Sequence, residues 1–154
     1  MERRITEEQL TKLIINWLES NDWEIISFDF PQSGTGISLH PNENIRTSKN
    51  KASIIPDIVA IKNKTVIFFE NKDRFVITDF VKTEYLKQTS DYSISISKLL
   101  QKFTYSAIYY GIGIPYNERN KKNIDDNLLK IDFSILVNPD YTISVHFDRM
   151  KIFK

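Results

Sequence analysis

The sequence predicts an α/β sandwich, in which helices cover both faces of a central mixed sheet. Residues 6–20 carry apolar side chains at helical spacing. Residues 54–61 and 65–71 are two β-branched apolar runs separated by a short polar turn, which is typical of a hairpin. Apolar side chains fall on both faces of these two strands. A sheet that is apolar on both faces is normally covered by helices on both sides.

The composition predicts one folded domain over residues 1–154, because 41% of the residues are hydrophobic and 27% are charged. The chain has no cysteine, and its two histidines, His40 and His146, lack zinc-site spacing. Any metal site must therefore use oxygen ligands. The sequence has neither a signal peptide nor an apolar run of membrane length, so we expect a cytoplasmic protein without membrane contact. A net charge of +1 provides no overall attraction to nucleic acid.

The first helix is expected to begin after Thr6, which can cap it, with Glu7 and Glu8 in the first turn where the helix dipole favours acidic residues. Residues 23–30 read as a strand. Residues 31–53 have no clear period, and a loop of that length is unusual in a compact domain. We therefore expect it to be functional or partly mobile, with a short strand at 36–40 as an option.

The second half of the chain alternates helix and strand signals. Residues 79–88 predict a helix, and Ser90 or Asp91 can cap a further one, although the alternating Ser and Ile residues at 93–97 also fit a strand. Residues 106–114 predict a strand and residues 115–126 a polar loop. Residues 128–137 and 141–148 predict a final hairpin. Within the first hairpin, Pro56 predicts a bulge or an unpaired edge position.

The first hairpin brings charged residues together. If Asn63 and Lys64 form its tip, extension of that register places Asp57 opposite Glu70, with their Cβ atoms about 4.5–5.5 Å apart. Lys72 lies two residues after Glu70 and shares its face of the sheet, whereas Asn71 points the other way.

Two adjacent carboxylates in an apolar sheet repel each other, and a divalent cation relieves that repulsion. Magnesium keeps several waters, so two carboxylates are enough to hold it. A magnesium ion bound to Asp57 and Glu70 would polarise a phosphodiester and acidify an attacking water. Lys72 would orient that water and offset negative charge in the transition state.

The pattern from Pro56-Asp57 to Glu70-x-Lys72 resembles the motif of the PD-(D/E)xK nuclease superfamily. The resemblance implies a restriction-endonuclease-like fold over most of the chain. It also implies that Asp57, Glu70 and the backbone carbonyl of Asn71 bind Mg²⁺, for which Mn²⁺ can substitute, and that Lys72 assists the nucleophilic water.

The opening of the first helix resembles that of archaeal Holliday-junction resolvases. Glu7 matches their acidic residue, although Glu8 and Glu19 remain alternatives, as does the absence of any glutamate ligand from this helix. The turn at 33–35 is similar to a loop in the same enzymes. The chain departs from the superfamily pattern at Asn71, where an apolar residue is usual. It departs from the resolvases in its longer spacer between residues 34 and 57, which argues against a simple resolvase and leaves room for an added DNA-contacting loop.

We therefore expect a magnesium-dependent DNA endonuclease, either a small restriction endonuclease or the cleavage subunit of one. One active site cuts one strand, so a homodimer or a heteromer with a DNA-recognition subunit is expected. The residues expected to contact DNA are Ser33, Arg46, Lys49, Lys51 and Arg74. The alternatives are a structure-specific nuclease such as a junction resolvase, a non-catalytic DNA-binding or assembly subunit, and an α/β interaction domain whose Asp57 and Glu70 lie far apart.

Overall fold

A six-stranded mixed sheet forms the centre of the protein in a computed structural model that describes residues 5–29, 36–40, 42, 54–88 and 91–153. The strands lie side by side in chain order. β3 pairs in parallel with β4, and β4 with β5, whereas the other neighbours are antiparallel. The strands are β1 (Glu24–Phe28), β2 (Ile58–Lys62), β3 (Thr65–Asn71), β4 (Ala107–Pro115), β5 (Phe133–Val137) and β6 (Ile143–Asp148).

Helices cover both faces of this sheet, as the sequence predicts. The helices are α1 (Glu7–Ser20), α2 (Ile77–Gln88), α3 (Ser93–Leu99) and α4 (Glu118–Asp125). Buried residues of α1 pack against one face, and buried residues of α2 and α4 together with partly buried residues of α3 pack against the other. The predicted α/β fold with a central mixed sheet between helices is therefore confirmed. Among the described residues, no helix is both long enough and apolar enough to cross a membrane.

The first helix begins where its capping residue predicts. The Thr6 hydroxyl accepts a hydrogen bond from the Gln9 backbone N–H, and the Gln9 side chain accepts one from the Thr6 backbone N–H. These two bonds satisfy donors that a helix N-terminus otherwise leaves open. Leu10, Ile14 and Leu18 are fully buried against the sheet. The first turn of α1, which carries Glu7, is thus held firmly near one end of the sheet.

The β2–β3 turn has the geometry that a tight hairpin requires. Asn63 and Lys64 both have positive φ angles, 49° and 66°, as in a two-residue turn whose twist matches the strands. The ladder runs from Lys62 opposite Thr65 to Ile58 opposite Phe69. The predicted register of this hairpin is confirmed.

Some predicted boundaries are wrong. β2 begins at Ile58 rather than at residue 54, because Pro56 has no N–H to donate to a ladder and interrupts the pairing. The optional strand at 36–40 is reduced to a single bridge between Leu39 and Ile54.

The region between β4 and β5 also differs from the prediction. Residues 115–126 were expected to be a polar loop, but they contain α4, which Asn117 caps by accepting a hydrogen bond from the Asn120 N–H. Residues 128–130 form a 3₁₀ turn, so β5 begins at Phe133. Residues 93–99 are helical, which resolves the alternative between helix and strand.

Candidate active site

Asp57 immediately precedes β2, and its backbone bonds to β3 and to the residue that follows β1. Its backbone N–H donates to the Phe69 carbonyl at 3.0 Å, and its carbonyl accepts from the Asp29 N–H at 2.9 Å. Its Oδ2 accepts a hydrogen bond from the Asn71 N–H at 2.7 Å. The carboxylate thus accepts the β3 N–H that a backbone carbonyl of a paired strand would otherwise accept.

The prediction that Asp57 lies directly opposite Glu70 is wrong. The ladder ends at Ile58 opposite Phe69, and the Asp57 N–H also bonds to Phe69, so two consecutive residues share one partner. Such an irregularity resembles a bulge and turns the chain away from strict opposition. Asp57 therefore lies beside the end of β3 and reaches the backbone of Asn71 instead of continuing the ladder.

The two residues before Lys72 point to opposite faces of the sheet, as alternation along a strand requires. The Asn71 side chain is buried on the α1 face, where its Nδ2 donates to Thr11 Oγ1 at 3.2 Å. The Thr11 hydroxyl in turn donates to the Glu7 carbonyl at 2.9 Å. Asn71 therefore connects β3 to the helical turn that carries Glu7, and its side chain points away from Glu70 as predicted.

Glu70 is buried on the opposite face, with 7% of its surface exposed. Its Oε1 lies 3.6 Å from the Nζ of Lys82 in α2. Lys82 was not among the predicted site residues. Its position depends on how α2 docks on the sheet, so no short-range signal in the sequence indicates its proximity to Glu70.

Lys72 lies close to Glu7, with 3.5 Å between Nζ and Oε1. Glu8 instead pairs with Lys12 along the exposed side of α1, at 3.8 Å. The structure thus brings Glu7 to the cluster and leaves Glu8 outside it. The catalytic role of Glu7 remains a prediction.

Burial dominates the electrostatics of Asp57. Its pKa is raised from 3.8 to about 7 overall, chiefly by desolvation; the Asn71 N–H acts in the opposite direction, and the Glu7 carboxylate contributes to the rise. The ammonium groups of Lys72 and Lys82 lower it. All three charged side chains therefore lie within electrostatic reach of Asp57. Together with Glu70, the cluster contains three carboxylates and two ammonium groups.

This cluster can bind a divalent cation only if the protein supplies few of the ligands and water supplies the others. The described residues include no group of three His, Cys, Asp or Glu side chains that could hold a metal ion by themselves. Magnesium, however, is commonly held by one or two carboxylates with waters completing its shell. Asp57 and Glu70 can supply the carboxylates. The Asn71 carbonyl points to the same side of β3 as its N–H, which is the side of Asp57. The buried, hard-to-ionise Asp57 is the group that a cation would stabilise most.

The predicted DNA-contacting residues are only partly covered. Ser33, Arg46, Lys49 and Lys51 lie outside the described residues. Arg74 is exposed, follows Lys72 by two residues, and lies 3.7 Å from Asp73.

A larger cavity of about 1060 Å³ lies away from the acidic cluster, between residues 37–42 and α3. The described residues of its lining include Lys98, Lys102 and several serines but no carboxylate. The described lining of this cavity therefore offers no carboxylate to a magnesium ion.

No protein-family model and no curated protein matches this sequence. The protein is therefore described by its fold and its site. It is an α/β sandwich with a half-buried aspartate, a buried glutamate and two lysines at one end of its central strands.

Proposed function

We propose that this protein is a magnesium-dependent DNA endonuclease, as a small restriction endonuclease or the cleavage subunit of one. The observation that carries this proposal is the half-buried Asp57 beside Glu7, Lys72 and Lys82, a carboxyl group whose pKa is raised to about 7, chiefly by burial. Carboxylates in such costly positions are characteristic of functional sites. The resemblance of Pro56-Asp57 and Glu70-x-Lys72 to the PD-(D/E)xK motif supports the same reaction.

Each side chain has a separate role in this proposal. Asp57 and Glu70 hold the Mg²⁺, with the Asn71 carbonyl as a further ligand and Mn²⁺ as a substitute. When bound, the ion supplies Lewis-acid activation of a phosphodiester and of water. Lys72 donates a hydrogen bond to the attacking water and offsets charge that develops on the phosphate. Glu7 orients the Lys72 ammonium group, which lies 3.5 Å from its Oε1.

Double-strand cleavage needs two such sites, so the proposal includes a homodimer or a partner subunit that recognises DNA. A cytoplasmic location belongs to the proposal as well. A structure-specific nuclease and a non-catalytic DNA-binding subunit are the alternatives.

Cleavage assays on three DNA substrates test the proposal. Supercoiled plasmid, single strands and four-way junctions are incubated with the protein, with Mg²⁺ or with a chelator. We expect metal-dependent cleavage that Asp57→Asn and Glu70→Gln abolish. Lys72→Ala should reduce the rate by orders of magnitude, because such charge stabilisation is worth about 10²–10³-fold. Lys12→Ala is the matched control, since Lys12 lies on the exposed side of α1.

The substrate pattern decides between the alternatives. Preference for the junction indicates a structure-specific nuclease. DNA binding without cleavage under any metal condition indicates a non-catalytic subunit. Full cleavage by Asp57→Asn would refute the proposed site, and wild-type activity of Glu7→Gln would remove Glu7 from it.

A further inference from the structure

A small basic pocket adjoins the candidate active site. It lies past the ends of β3 and β4, has a volume of about 270 Å³, and is formed by the β3–α2 connection and by α4. Its lining residues carry guanidinium, amide, carboxylate and aromatic groups: Asp73, Arg74, Phe75, Asn117, Arg119, Asn120 and Asn123. None of these except Arg74 belongs to the predicted site.

The charges in the pocket favour an anion. Arg74 and Arg119 come from two different segments of the chain, and Asp73 is the one carboxylate among the described lining residues. Asp73 lies 3.7 Å from Arg74. Among the described residues, Arg119 has no acidic side chain within ion-pair distance. Guanidinium groups bind phosphate through paired hydrogen bonds, so two arginines that line one pocket match one phosphate group.

Hydrogen bonds and packing anchor the segment that carries Arg119. Asn117 accepts a hydrogen bond from the Asn120 N–H at 2.7 Å, and the Asn120 side chain donates to the Pro115 carbonyl at 2.8 Å. Ile124 is fully buried beneath the helix. These contacts attach α4 to the end of β4 and so anchor the backbone at Arg119.

The pocket lies close enough to the acidic cluster for one nucleic-acid strand to reach both. Arg74 is two positions after Lys72, a span of at most about 7 Å. The Lys72 N–H donates to the Gly113 carbonyl at 3.1 Å, so the ends of β3 and β4 lie side by side. Successive phosphates of one strand rise by about 3.4 Å along a duplex axis. A strand whose reactive phosphate lies at Lys72 therefore places another phosphate near Arg74.

On the basis of the nuclease function proposed above, we propose that this pocket is a phosphate-binding subsite for the DNA backbone. Arg74 and Arg119 bind a phosphate one or two nucleotides away from the phosphate that is cut. The pocket is smaller than the about 300–1,000 Å³ of most small-molecule sites, which suits a single phosphate group rather than a whole nucleotide. The subsite positions the strand and reads no base.

Binding measurements with the cleavage-deficient Asp57→Asn protein test this subsite. Fluorescence anisotropy is recorded on a short duplex over a range of salt concentrations. In this background, Arg74→Gln and Arg119→Gln should each weaken binding several-fold and reduce the salt slope by about one phosphate contact. Lys121→Gln is the matched control, because it removes one positive charge from the side of α4 opposite Arg119 and should have a smaller effect.

A second measurement locates the contact on the DNA. Duplexes carry one uncharged methylphosphonate, placed in turn at each position near the cut. One or two positions should weaken binding to the Arg119-containing protein, and the same positions should have no further effect on Arg119→Gln. If every position has the same effect on both proteins, or if both Arg variants bind like the parent, the subsite is refuted.

These outcomes are independent of the proposed catalysis. Loss of binding in the Arg variants supports the subsite even if Asp57→Asn still cleaves, a result that would refute only the active site. Conversely, normal binding by the Arg variants refutes the subsite even if cleavage depends on Asp57 and Glu70 as proposed. Circular dichroism of each variant checks that these exposed substitutions leave the fold intact.

Discussion

Replacing Asp57 by Asn should make the protein without metal more stable, and increasingly so as the pH rises. In the folded protein the pKa of Asp57 is raised from 3.8 to about 7, chiefly by burial. Below about pH 3 the carboxyl is mostly protonated in both the folded and the unfolded chain. As the pH rises, the unfolded chain releases this proton first. The wild type therefore loses stability progressively up to about pH 7, and the loss is complete above that pH.

The size of this effect follows from the shift in pKa. Each unit corresponds to about 1.36 kcal/mol, so a shift of about three units amounts to about 4 kcal/mol at most. Solvent around the half-buried carboxylate screens part of this cost. We therefore expect the free energy of unfolding of the wild type to fall by about 2–4 kcal/mol, relative to Asp57→Asn, between pH 4 and pH 8. The asparagine keeps an oxygen that can accept the Asn71 N–H.

Urea unfolding at several pH values, in the presence of a chelator, measures this difference. Asp126→Asn is the control, because it removes an exposed carboxylate at the end of α4. Mg²⁺ added at pH 8 should restore stability to the wild type, by about 2.7 kcal/mol at a hundred times its Kd, and should leave Asp57→Asn unchanged. Parallel pH curves for wild type and Asp57→Asn would refute the reasoning, as would an equal response of both proteins to Mg²⁺.

Three further substitutions test neighbouring contacts. Lys82→Gln should bind Mg²⁺ about tenfold more tightly in calorimetry, because its ammonium group lies 3.6 Å from Glu70 and opposes a cation there; weaker binding would contradict this. Thr11→Val should destabilise the protein by about 1–3 kcal/mol in urea unfolding, because the buried Asn71 amide loses its acceptor; unchanged stability would show that another group replaces it. Gly113→Ala should cost about 1–3 kcal/mol in the same assay, since a Cβ there would lie 2.3 Å from Asn71 Oδ1; a neutral result would mean that the side chain yields.

The parts of the site that the sequence predicts are those determined by short-range pattern. The turn at Asn63 and Lys64 sets the register of the hairpin, and the hairpin carries Asp57 and Glu70 to the same end of the sheet. The capping pattern at Thr6 likewise predicts where α1 begins, and hence where Glu7 lies along that helix.

The parts that escaped prediction depend on long-range packing or lack an apolar signal. Lys82 approaches Glu70 only because α2 docks across the sheet. Ile124 is the single apolar residue of α4 and is fully buried. One apolar residue cannot form a periodic pattern, so the sequence did not indicate this helix by hydrophobic spacing. The capping signal at Asn117, followed by Glu118, was present and would have located this helix.

The ion pair between Glu7 and Lys72 has a consequence for how the protein folds. Its two partners are 65 residues apart in the chain, and the hydrogen bond from Asn71 to Thr11 spans 60 residues. Contacts of such high sequence separation form late, because the entropy of closing a long loop must be lost first. During synthesis and refolding the hairpin can therefore form while the cluster is still incomplete. In a partly folded chain whose α1 has not yet docked on the sheet, Asp57 and Glu70 would be on the hairpin without Glu7 beside them.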